Sequence, residues 1–195
     1  LNGWDDNIYV TGNLHLSASL ENVLHWLKAP ALGHYIPVTM LSYMFDYGLW
    51  GLKPSGFHAQ NIFWHVAASL ALFQLMGLLG FRRWTALFAA LIFACHPQRI
   101  ESVAWISERK DAISAALYLI ALCVYLGRRD RMKFDPAAFA IFILAMLSKS
   151  IAMSFPVVLA AYEVYAGKRF AFKDILRRLW PYFLVSAAWL PLSFM

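Results

Sequence analysis

Hydrophobic positions along the chain fall into long blocks that short polar stretches separate. The clearest block runs from His58 to Gly80, which as a helix is long enough to cross about 30 Å of hydrocarbon. Several other blocks are shorter than this. A helix of about sixteen residues, for example, reaches only about 24 Å. The pattern predicts an all-α fold, a polytopic membrane helix bundle. Its remaining helices are expected at 84–95, 112–127, 137–147, 151–167 and 180–195.

The first part of the chain follows a different pattern. Ser19 can cap a short helix whose apolar positions recur at i, i+3, i+4 and i+7 from Leu20, which is typical of an amphipathic helix on a membrane surface. Residues 35–50 are rich in aromatic side chains and predict a second interfacial or half-inserted helix. We therefore divide the chain into residues 1–55, an extracytoplasmic loop with interfacial helices, and residues 56–195, a transmembrane bundle that is incomplete at both ends.

Composition supports a membrane protein and excludes two other classes. Apolar residues make up 61% of the chain and charged residues 14%, against roughly 45–50% and about 25% in soluble domains. Disordered chains deviate in the opposite direction. The net charge is +6, but the basic residues lie between apolar blocks, so nucleic acid is not an expected partner. Cys95 and Cys123 both lie in apolar runs, so no disulfide framework is predicted.

The distribution of basic residues predicts an orientation. If the block at 58–80 runs inward from the outside, 11 of the 17 Lys and Arg residues fall in cytoplasmic loops: Arg82, Arg83, Arg128, Arg129, Arg131, Lys133, Lys168, Arg169, Lys173, Arg177 and Arg178. Most acidic residues fall on the opposite side. Residues 1–55, about 98–111 and about 148–150 then share the extracytoplasmic side, where the acidic residues predict a polar chamber.

Two polar positions near apolar blocks are candidates for chemistry. Asp5 and Asp6 follow Trp4, and adjacent carboxylates point in different directions, so at most one faces a given substrate. The alternative is that they form a turn or a helix cap. Lys149 lies between two apolar segments, where it can extend to the interface or pair with an anionic lipid headgroup.

The densest polar stretch of the chain is residues 96–111. As one helix it would place Glu101, Trp105 and Glu108 on one face, with Arg109 stacked near Trp105. Charged groups beside hydrocarbon cost free energy unless they are partnered, so they are functional candidates. The alternative is structural, with helix opening, helix capping and a solvated Glu101–Arg109 pair.

Four segments together resemble a known group: WDDNIYVTGN at 4–13, YIPVTMLSYMFDYGLWGLKPSGFH at 35–58, HPQRIESVAWISERKD at 96–111 and LSKSIAMSFPVVLAAYE at 147–163. In this order they resemble the membrane half of bacterial TPR-containing integral membrane proteins. Those proteins in turn resemble the transmembrane, TPR-repeat-containing O-mannosyltransferases of animals and the wider protein O-mannosyltransferase group, which belong to the GT-C class of glycosyltransferases.

The resemblance implies a multi-pass protein of the bacterial inner membrane whose catalytic face lies outside the cytoplasm. It implies a polyprenyl-phosphate-sugar donor and an inverting transfer to a hydroxyl, often that of a protein Ser or Thr. The expected partners are this lipid-linked donor, a protein or glycan acceptor and membrane lipids. No cofactor is identified, the sequence shows no metal-ligand spacing, and a divalent metal stays an open alternative.

The resemblance also assigns roles to individual residues. Asp5 and Asp6 match the acidic pair of the group and are expected to be catalytic, with Asp5 as the base and Asp6 as its support. Cations that can hold the donor phosphate are Arg109, Lys110 and Lys149. Residues expected to orient the substrate are His96, Glu101 and Asp111.

Three rival functions remain open on sequence alone. One is a GT-C transferase that acts on a lipid or glycan, and another is a non-catalytic membrane scaffold that keeps the fold. A transporter or channel would place charges in the middle of helices, which this sequence mostly lacks. The transferase hypothesis requires that the stretches around Asp5 and Arg109, more than 100 residues apart, meet at one pocket.

Overall fold

The structure is a computed structural model that describes residues 5–128, 134–166 and 172–191. Within these ranges the regular elements are helices, with no named strand, so the all-α prediction is confirmed. The α-helices are α1 Leu20–Trp26, α2 Pro37–Trp50, α3 Pro54–Leu78, α4 Arg83–Cys95, α5 Arg99–Ala104, α6 Arg109–Arg128, α7 Pro136–Met146, α8 Phe155–Ala166 and α9 Phe172–Trp189. Some predictions concern residues outside the described ranges: Trp4, Arg129, Arg131, Lys133, Lys168 and Arg169.

Helix starts follow the local sequence. The Ser19 hydroxyl accepts a hydrogen bond from the backbone N–H of Asn22 at 3.2 Å and caps α1, as predicted. The Asp135 carboxylate accepts from the backbone N–H groups of Ala137 and Ala138 at 2.9 and 3.1 Å and caps α7. Proline occupies the first turn of α2, α3 and α7, where its missing N–H costs no intrahelical hydrogen bond.

Among the described residues, two helical stretches are long and apolar enough to cross a membrane. They are Pro54–Leu78 and Ile106–Arg128, which joins a short 3₁₀ turn to α6. The apolar helical stretches Arg83–Cys95, Pro136–Met146 and Ser150–Tyr165 are shorter, and the thirteen residues of α4 rise only about 20 Å. The chain therefore has the character of a membrane protein, while a fully polytopic bundle remains a prediction.

The helices alternate in direction, so one end of the structure collects the polar stretches. α3 and α6 run parallel, because Asn61 contacts the start of α6 and the carbonyl of Ala71 accepts from Cys123 Sγ at 3.2 Å further along. α7 returns beside α6, where Ser114 Oγ donates to the carbonyl of Ala145 at 3.3 Å. α8 then runs with α6, since the Tyr125 hydroxyl donates to the Glu163 carboxylate at 2.8 Å.

The polar stretch at 96–111 is not a single helix, which corrects the predicted common face of Glu101, Trp105 and Glu108. α5 ends at Ala104, Trp105 is extended with φ −87° and ψ 119°, and a 3₁₀ turn spans Ile106–Glu108. The Asn61 side-chain amide of α3 donates to the carbonyls of Val103 and Trp105 at 3.3 and 3.1 Å, so these carbonyls bond across helices rather than along a continuous helix.

The last helix also differs from its prediction. α9 starts well before residue 180, and it includes Lys173 and Arg177, which the sequence pattern assigned to a loop. Ile175, Leu179 and Tyr182 recur at helical spacing and are buried, while both basic residues are exposed on the other side. The residues before 180, which their polarity suggested to be a loop, therefore form the first part of an amphipathic helix.

Two apolar cores hold the described helices together. The larger core joins α6, α7, α8 and α9, and in it the ring centroids of Phe142, Phe155 and Tyr182 lie 5.0 to 5.7 Å apart. The smaller core packs the first part of the chain, including Tyr43 and Phe57, against Ile106. Because α3 begins at Pro54, the predicted division at 55/56 falls inside its first turn, and the division into two parts stays a prediction.

Replacing Phe142 by alanine tests the larger core. We expect a loss of about 3–5 kcal/mol of stability, because the deleted ring leaves a cavity among rings that cannot close on it. The midpoint of thermal unfolding in detergent measures the effect. The matched control is Phe88→Ala on α4, whose side chain is 69% exposed and whose loss should change stability by no more than about 0.5 kcal/mol. Equal midpoints for the two variants would contradict the prediction.

Candidate functional site

The two polar stretches separated by about a hundred residues meet in the structure. The Asp6 carboxylate is buried and accepts a hydrogen bond from the backbone N–H of Ser107 at 3.1 Å. The hydroxyl of Ser107 donates to the same carboxylate oxygen. Since Ser107 lies in the 3₁₀ turn before α6, these bonds fix the acidic motif beside the start of that helix.

A cluster of charged and phenolic groups surrounds this junction. The ammonium of Lys110 lies 2.9 Å from a carboxylate oxygen of Glu108 and 5.4 Å from the centroid of the Tyr9 ring. Burial raises the pKa of the Tyr9 hydroxyl to about 12, and the negative charges of Asp5 and Glu108 add to this rise. The carboxylates of Asp5 and Glu108 therefore both raise the pKa of the same hydroxyl, although they are far apart in sequence. The half-buried Asp5 carboxylate stays within reach of solvent.

A cavity of about 300 Å³ opens next to this cluster. Its lining residues come from three separate regions of the chain: His34, Ile36, Glu108, Lys110, Lys149, Ser150 and Ile151. We call it the charged pocket. The ammonium of Lys149 pairs with the carboxylate of Asp111, and both side chains are about one-third exposed. The charged pocket therefore contains two lysines, each of which has a carboxylate beside it.

Arg109 lies between the pocket residues in sequence, but its side chain points elsewhere. It is fully buried, and its guanidinium contacts the Asp46 carboxylate at 2.5 Å. It also donates to Asn61 Oδ1 at 2.8 Å and to the carbonyl of Phe57 at 2.9 Å. It lies 4.5 Å from the centroid of the Tyr43 ring, so the predicted stacking of Arg109 on Trp105 is wrong. The guanidinium joins α6 to α2 and α3 and does not line the charged pocket.

The partner of Arg109 is an acid that sequence reasoning did not select. Asp46 is fully buried in α2. Burial raises the pKa of its carboxyl, while the adjacent guanidinium opposes that rise. The sequence contains no local sign of this pair, because Asp46 lies within an aromatic run and its partner follows 63 residues later.

His96 and Glu101, predicted to orient the substrate, do not line the charged pocket. His96 is exposed and lines a second cavity of about 300 Å³ together with His65 and Arg99. Glu101 is exposed on α5. The predicted residues that the structure brings to the junction and its pocket are Asp5, Asp6, Lys110, Asp111 and Lys149.

His34 is a pocket residue that the sequence did not indicate. A tight turn carries it there, in which the backbones of Ala31 and His34 exchange hydrogen bonds of 2.8 and 2.9 Å. Leu32 and Gly33 in this turn have φ angles of 48° and 72°. Glycine adopts such angles without strain. Gly33 was therefore the one sign in the sequence of a tight turn just before His34.

The charged pocket does not have the ligand set of a metal site. Among the described residues, no group of three or more His, Cys, Asp and Glu side chains is placed to hold a metal ion. The carboxylates of Glu108 and Asp111 each face a lysine ammonium, which competes for the oxygens that a hard cation would bind. The donor groups present therefore do not fit a divalent metal.

In the described part of the chain, two apolar helices have a charged pocket near one end, an arrangement that is typical of a membrane protein with a polar site. The chain is similar in sequence to enzymes of one kind. Protein O-mannosyl-transferase TMTC2 of Mus musculus is 30% identical over 151 residues, which is 73% of this chain and 18% of that protein. Protein O-mannosyl-transferase TMTC3 of Mus musculus is 27% identical over 139 residues, 69% of this chain and 15% of that protein. Protein O-mannosyl-transferase TMTC1 of Homo sapiens is 36% identical over 92 residues, 47% of this chain and 10% of that protein.

These relatives confirm the resemblance that the four motifs indicated. The chain is related to part of the protein O-mannosyl-transferases, and it spans less than one-fifth of the length of these relatives. No protein-family model and no solved structure matches the chain.

The buried pair can be tested by a double-mutant cycle with Arg109→Met and Asp46→Asn. Each single change should destabilise the protein by about 3–5 kcal/mol, because it leaves the other charged group buried without a counter-charge. The double variant should lose less than the sum of the two, with a coupling of at least about 1 kcal/mol. Unfolding in detergent measures all three variants. Arg99→Met, a change at a half-buried arginine outside this pair, is the control, and simple additivity would contradict the proposed pairing energy.

Proposed function

We propose that this chain is part of a membrane glycosyltransferase that transfers a sugar, mannose in the first instance, from a polyprenyl-phosphate donor to a protein Ser or Thr hydroxyl. The single observation that carries the proposal is the junction of the Asp5–Asp6 motif with the 107–111 stretch beside a pocket containing Lys110 and Lys149. The printed names of the relatives supply the reaction, protein O-mannosyl transfer.

Asp5 takes the role of the general base. The acceptor hydroxyl must lose a proton as its oxygen attacks the anomeric carbon of the sugar, and a carboxylate within hydrogen-bond reach can accept that proton. The bond from the anomeric carbon to the phosphate oxygen breaks on the opposite face, so the configuration inverts and the lipid phosphate leaves with the electron pair. Asp6 is a positioning residue, since its carboxylate is bound to Ser107 and holds the motif in place.

Lys110 and Lys149 take the role of phosphate ligands. Negative charge grows on the phosphate as the glycosidic bond breaks, and ammonium groups fixed near it stabilise that charge. Glu108 and Asp111 hold the two ammonium groups at the pocket, so Asp111 acts through Lys149. Arg109, predicted to bind the phosphate, takes a positioning role instead, because its guanidinium holds α6 against α2 and α3.

Helix direction and charge support an extracytoplasmic location for the site. The junction and the charged pocket lie at the end where α3 and α6 begin, and Arg82, Arg83 and Arg128 lie toward the other end. Basic residues favour the cytoplasmic side of a membrane. This supports a multi-pass protein of the GT-C type whose active face is extracytoplasmic, in the bacterial inner membrane as the motifs imply.

The base role predicts the effect of Asp5→Asn in the complete protein. Transfer to an acceptor peptide should fall to background, since the amide cannot accept the proton, while the thermal unfolding midpoint should stay unchanged because Asp5 is half exposed. Transfer is measured by mass spectrometry of the peptide. Glu21→Gln, which neutralises an exposed carboxylate on α1, is the matched control and should retain activity. Full turnover by Asp5→Asn would remove Asp5 from the base role.

The phosphate role predicts a loss of donor affinity in Lys149→Gln. We expect the dissociation constant for polyprenyl phosphate to rise about tenfold or more, because a charge-assisted hydrogen bond contributes about 1.5–3 kcal/mol. The control is Lys53→Gln, an exposed lysine just before α3 that does not line the pocket. If wild type binds no polyprenyl phosphate at all, the chain serves as a non-catalytic scaffold. If the protein binds the donor but modifies only a lipid or glycan, the proposal of a protein acceptor is wrong.

A further inference from the structure

The cavity of about 300 Å³ that His96 lines has no role in the proposed reaction. It lies where α4 ends and α5 begins, and its nitrogen-bearing lining side chains are His65, His96 and Arg99. We call it the Arg99 pocket. It shares no lining residue with the charged pocket. None of its lining residues is acidic, so the two pockets also differ in the charges that they present.

The Arg99 guanidinium carries a charge that no carboxylate of the described residues balances. Its central carbon lies 4.5 Å from the centroid of the Phe93 ring, on the last turn of α4. The salt bridges within the described ranges join other residues. An aromatic face attracts a cation but supplies no counter-charge. The planar guanidinium therefore keeps donors for an anion, and it can bind two oxygens of one phosphate.

His96 contributes a second donor to this pocket. The backbone N–H of Gln98 donates to Nδ1 of His96 at 3.2 Å, so the hydrogen of the neutral ring lies on Nε2. His65 has a different role, because its Nε2 donates to the carbonyl of Ala94 at 3.0 Å. This bond satisfies one of the carbonyls that the end of α4 leaves without a helical partner. The Arg99 pocket thus combines a cation and an N–H donor, beside a helix end that His65 fixes.

A metal ion does not fit this set of side chains. His65, Cys95 and His96 all line the Arg99 pocket. However, no group of three or more His, Cys, Asp and Glu side chains in the described ranges is placed to hold a metal. A guanidinium repels a metal ion, and it does not lose its proton in proteins. An anion is therefore the ligand that these groups favour.

Apolar surface borders the Arg99 pocket. Ile100 lines it, and on α4 Ile92 and Phe88 lie one and two turns before His96. These three apolar side chains are each exposed over more than half of their surface. An acidic peptide arriving from water would have to lie against them, whereas the acyl chains of a phospholipid cover such a surface without losing contact with water. The surroundings therefore favour a phosphate that belongs to a lipid.

The length of α4 is a second reason to expect a lipid phosphate. α4 begins at Arg83 and ends at Cys95, and its rise of about 20 Å is about 10 Å less than the thickness of bilayer hydrocarbon. If Arg83 lies at one membrane surface, the Arg99 pocket lies deeper than the headgroups of the opposite surface. A cation at this depth costs free energy unless it is partnered. Arginine side chains extend toward the headgroups and the bilayer thins beside them, which brings a phospholipid phosphate within reach.

We propose that the Arg99 pocket binds the phosphate of an anionic phospholipid, in the leaflet at the same end of the structure as the charged pocket. Arg99 supplies the counter-charge and His96 a hydrogen bond, while the acyl chains lie on the exposed apolar surface of α4. A net negative headgroup is preferred over a zwitterionic one, because no acidic side chain lines the pocket to bind a headgroup cation. The inference goes beyond the proposed reaction and does not depend on it.

A bound lipid also stabilises the connection to α6. The carbonyl of Val103, which lines the Arg99 pocket, accepts a hydrogen bond from the Asn61 side-chain amide at 3.3 Å. The oxygen of the same amide accepts from Arg109 at 2.8 Å. A ligand that binds only the folded pocket raises the free energy of unfolding by mass action. The midpoint of thermal unfolding is therefore a second readout beside affinity.

The test measures binding to the complete protein in a neutral detergent. The probes are phosphatidylglycerol, phosphatidylcholine with the same acyl chains, inorganic phosphate and a hexaglutamate peptide, and the readouts are the dissociation constant and the unfolding midpoint. Arg99→Gln removes the charge, and Arg83→Gln, at the exposed opposite end of α4, is the matched control. Ala104→Trp fills the Arg99 pocket and keeps the charge.

Wild type should bind phosphatidylglycerol about tenfold or more tightly than phosphatidylcholine, and phosphatidylglycerol should raise its unfolding midpoint. Arg99→Gln should weaken phosphatidylglycerol about tenfold or more and abolish the shift in midpoint, because charge-assisted hydrogen bonds are lost. Ala104→Trp should weaken it as well. Arg83→Gln should leave the affinity within about twofold, as surface changes do. Lys149→Gln should do the same, since Lys149 lines the charged pocket and not this one.

Four results would overturn the phospholipid site. Equal affinities for the two phospholipids, or no binding of either, would show that the net charge of a headgroup is not recognised. Equal losses in Arg99→Gln and Arg83→Gln would assign binding to the general surface. Displacement of phosphatidylglycerol by an equal concentration of inorganic phosphate would make the pocket a site for a free anion. Displacement by the hexaglutamate peptide, lost in Arg99→Gln, would make it a peptide site.

Discussion

The structure depends on one buried ion pair, between Arg109 and Asp46. Burying an isolated charge costs several kcal/mol, so the guanidinium is tolerated only because a carboxylate, two amide oxygens and a backbone carbonyl surround it. These partners belong to α2 and α3, so satisfying Arg109 also fixes where α6 begins. The position of Lys110, and with it the charged pocket, follows from that constraint.

Asn61 extends the same constraint to the connection before α6. Its side-chain oxygen accepts from Arg109, and its nitrogen donates to the carbonyls of Val103 and Trp105. One amide thus stabilises both the buried cation and the break between α5 and α6. Asp6 then binds the next turn through Ser107. The acidic motif is therefore held by groups whose own positions are already determined.

Hydrophobic block length predicted most of the helices, because burial in apolar surroundings favours the hydrogen-bonded backbone that a helix provides. It failed at α9, where exposed Lys173 and Arg177 mask the apolar spacing. At the site, the sequence selected Asp5, Asp6, Lys110 and Lys149 by charge and motif. The sequence alone could not show that Lys110 lines the charged pocket while the neighbouring Arg109 points into the interior. Neighbouring side chains on a helix point about 100° apart, and which of them faces the pocket depends on tertiary partners.

The break at Trp105 has a consequence for how the chain tolerates insertions. Because α5 and α6 are separate helices, added residues within 97–104 can be absorbed before the break without rotating α6. One residue added between Ser107 and Arg109 would instead turn the sequence on α6 by about 100°. The guanidinium would then leave Asp46 and shift to the direction in which the Lys110 side chain now points, so Asp46 would stay buried without its counter-charge. Length variation among relatives should therefore concentrate on one side of Trp105.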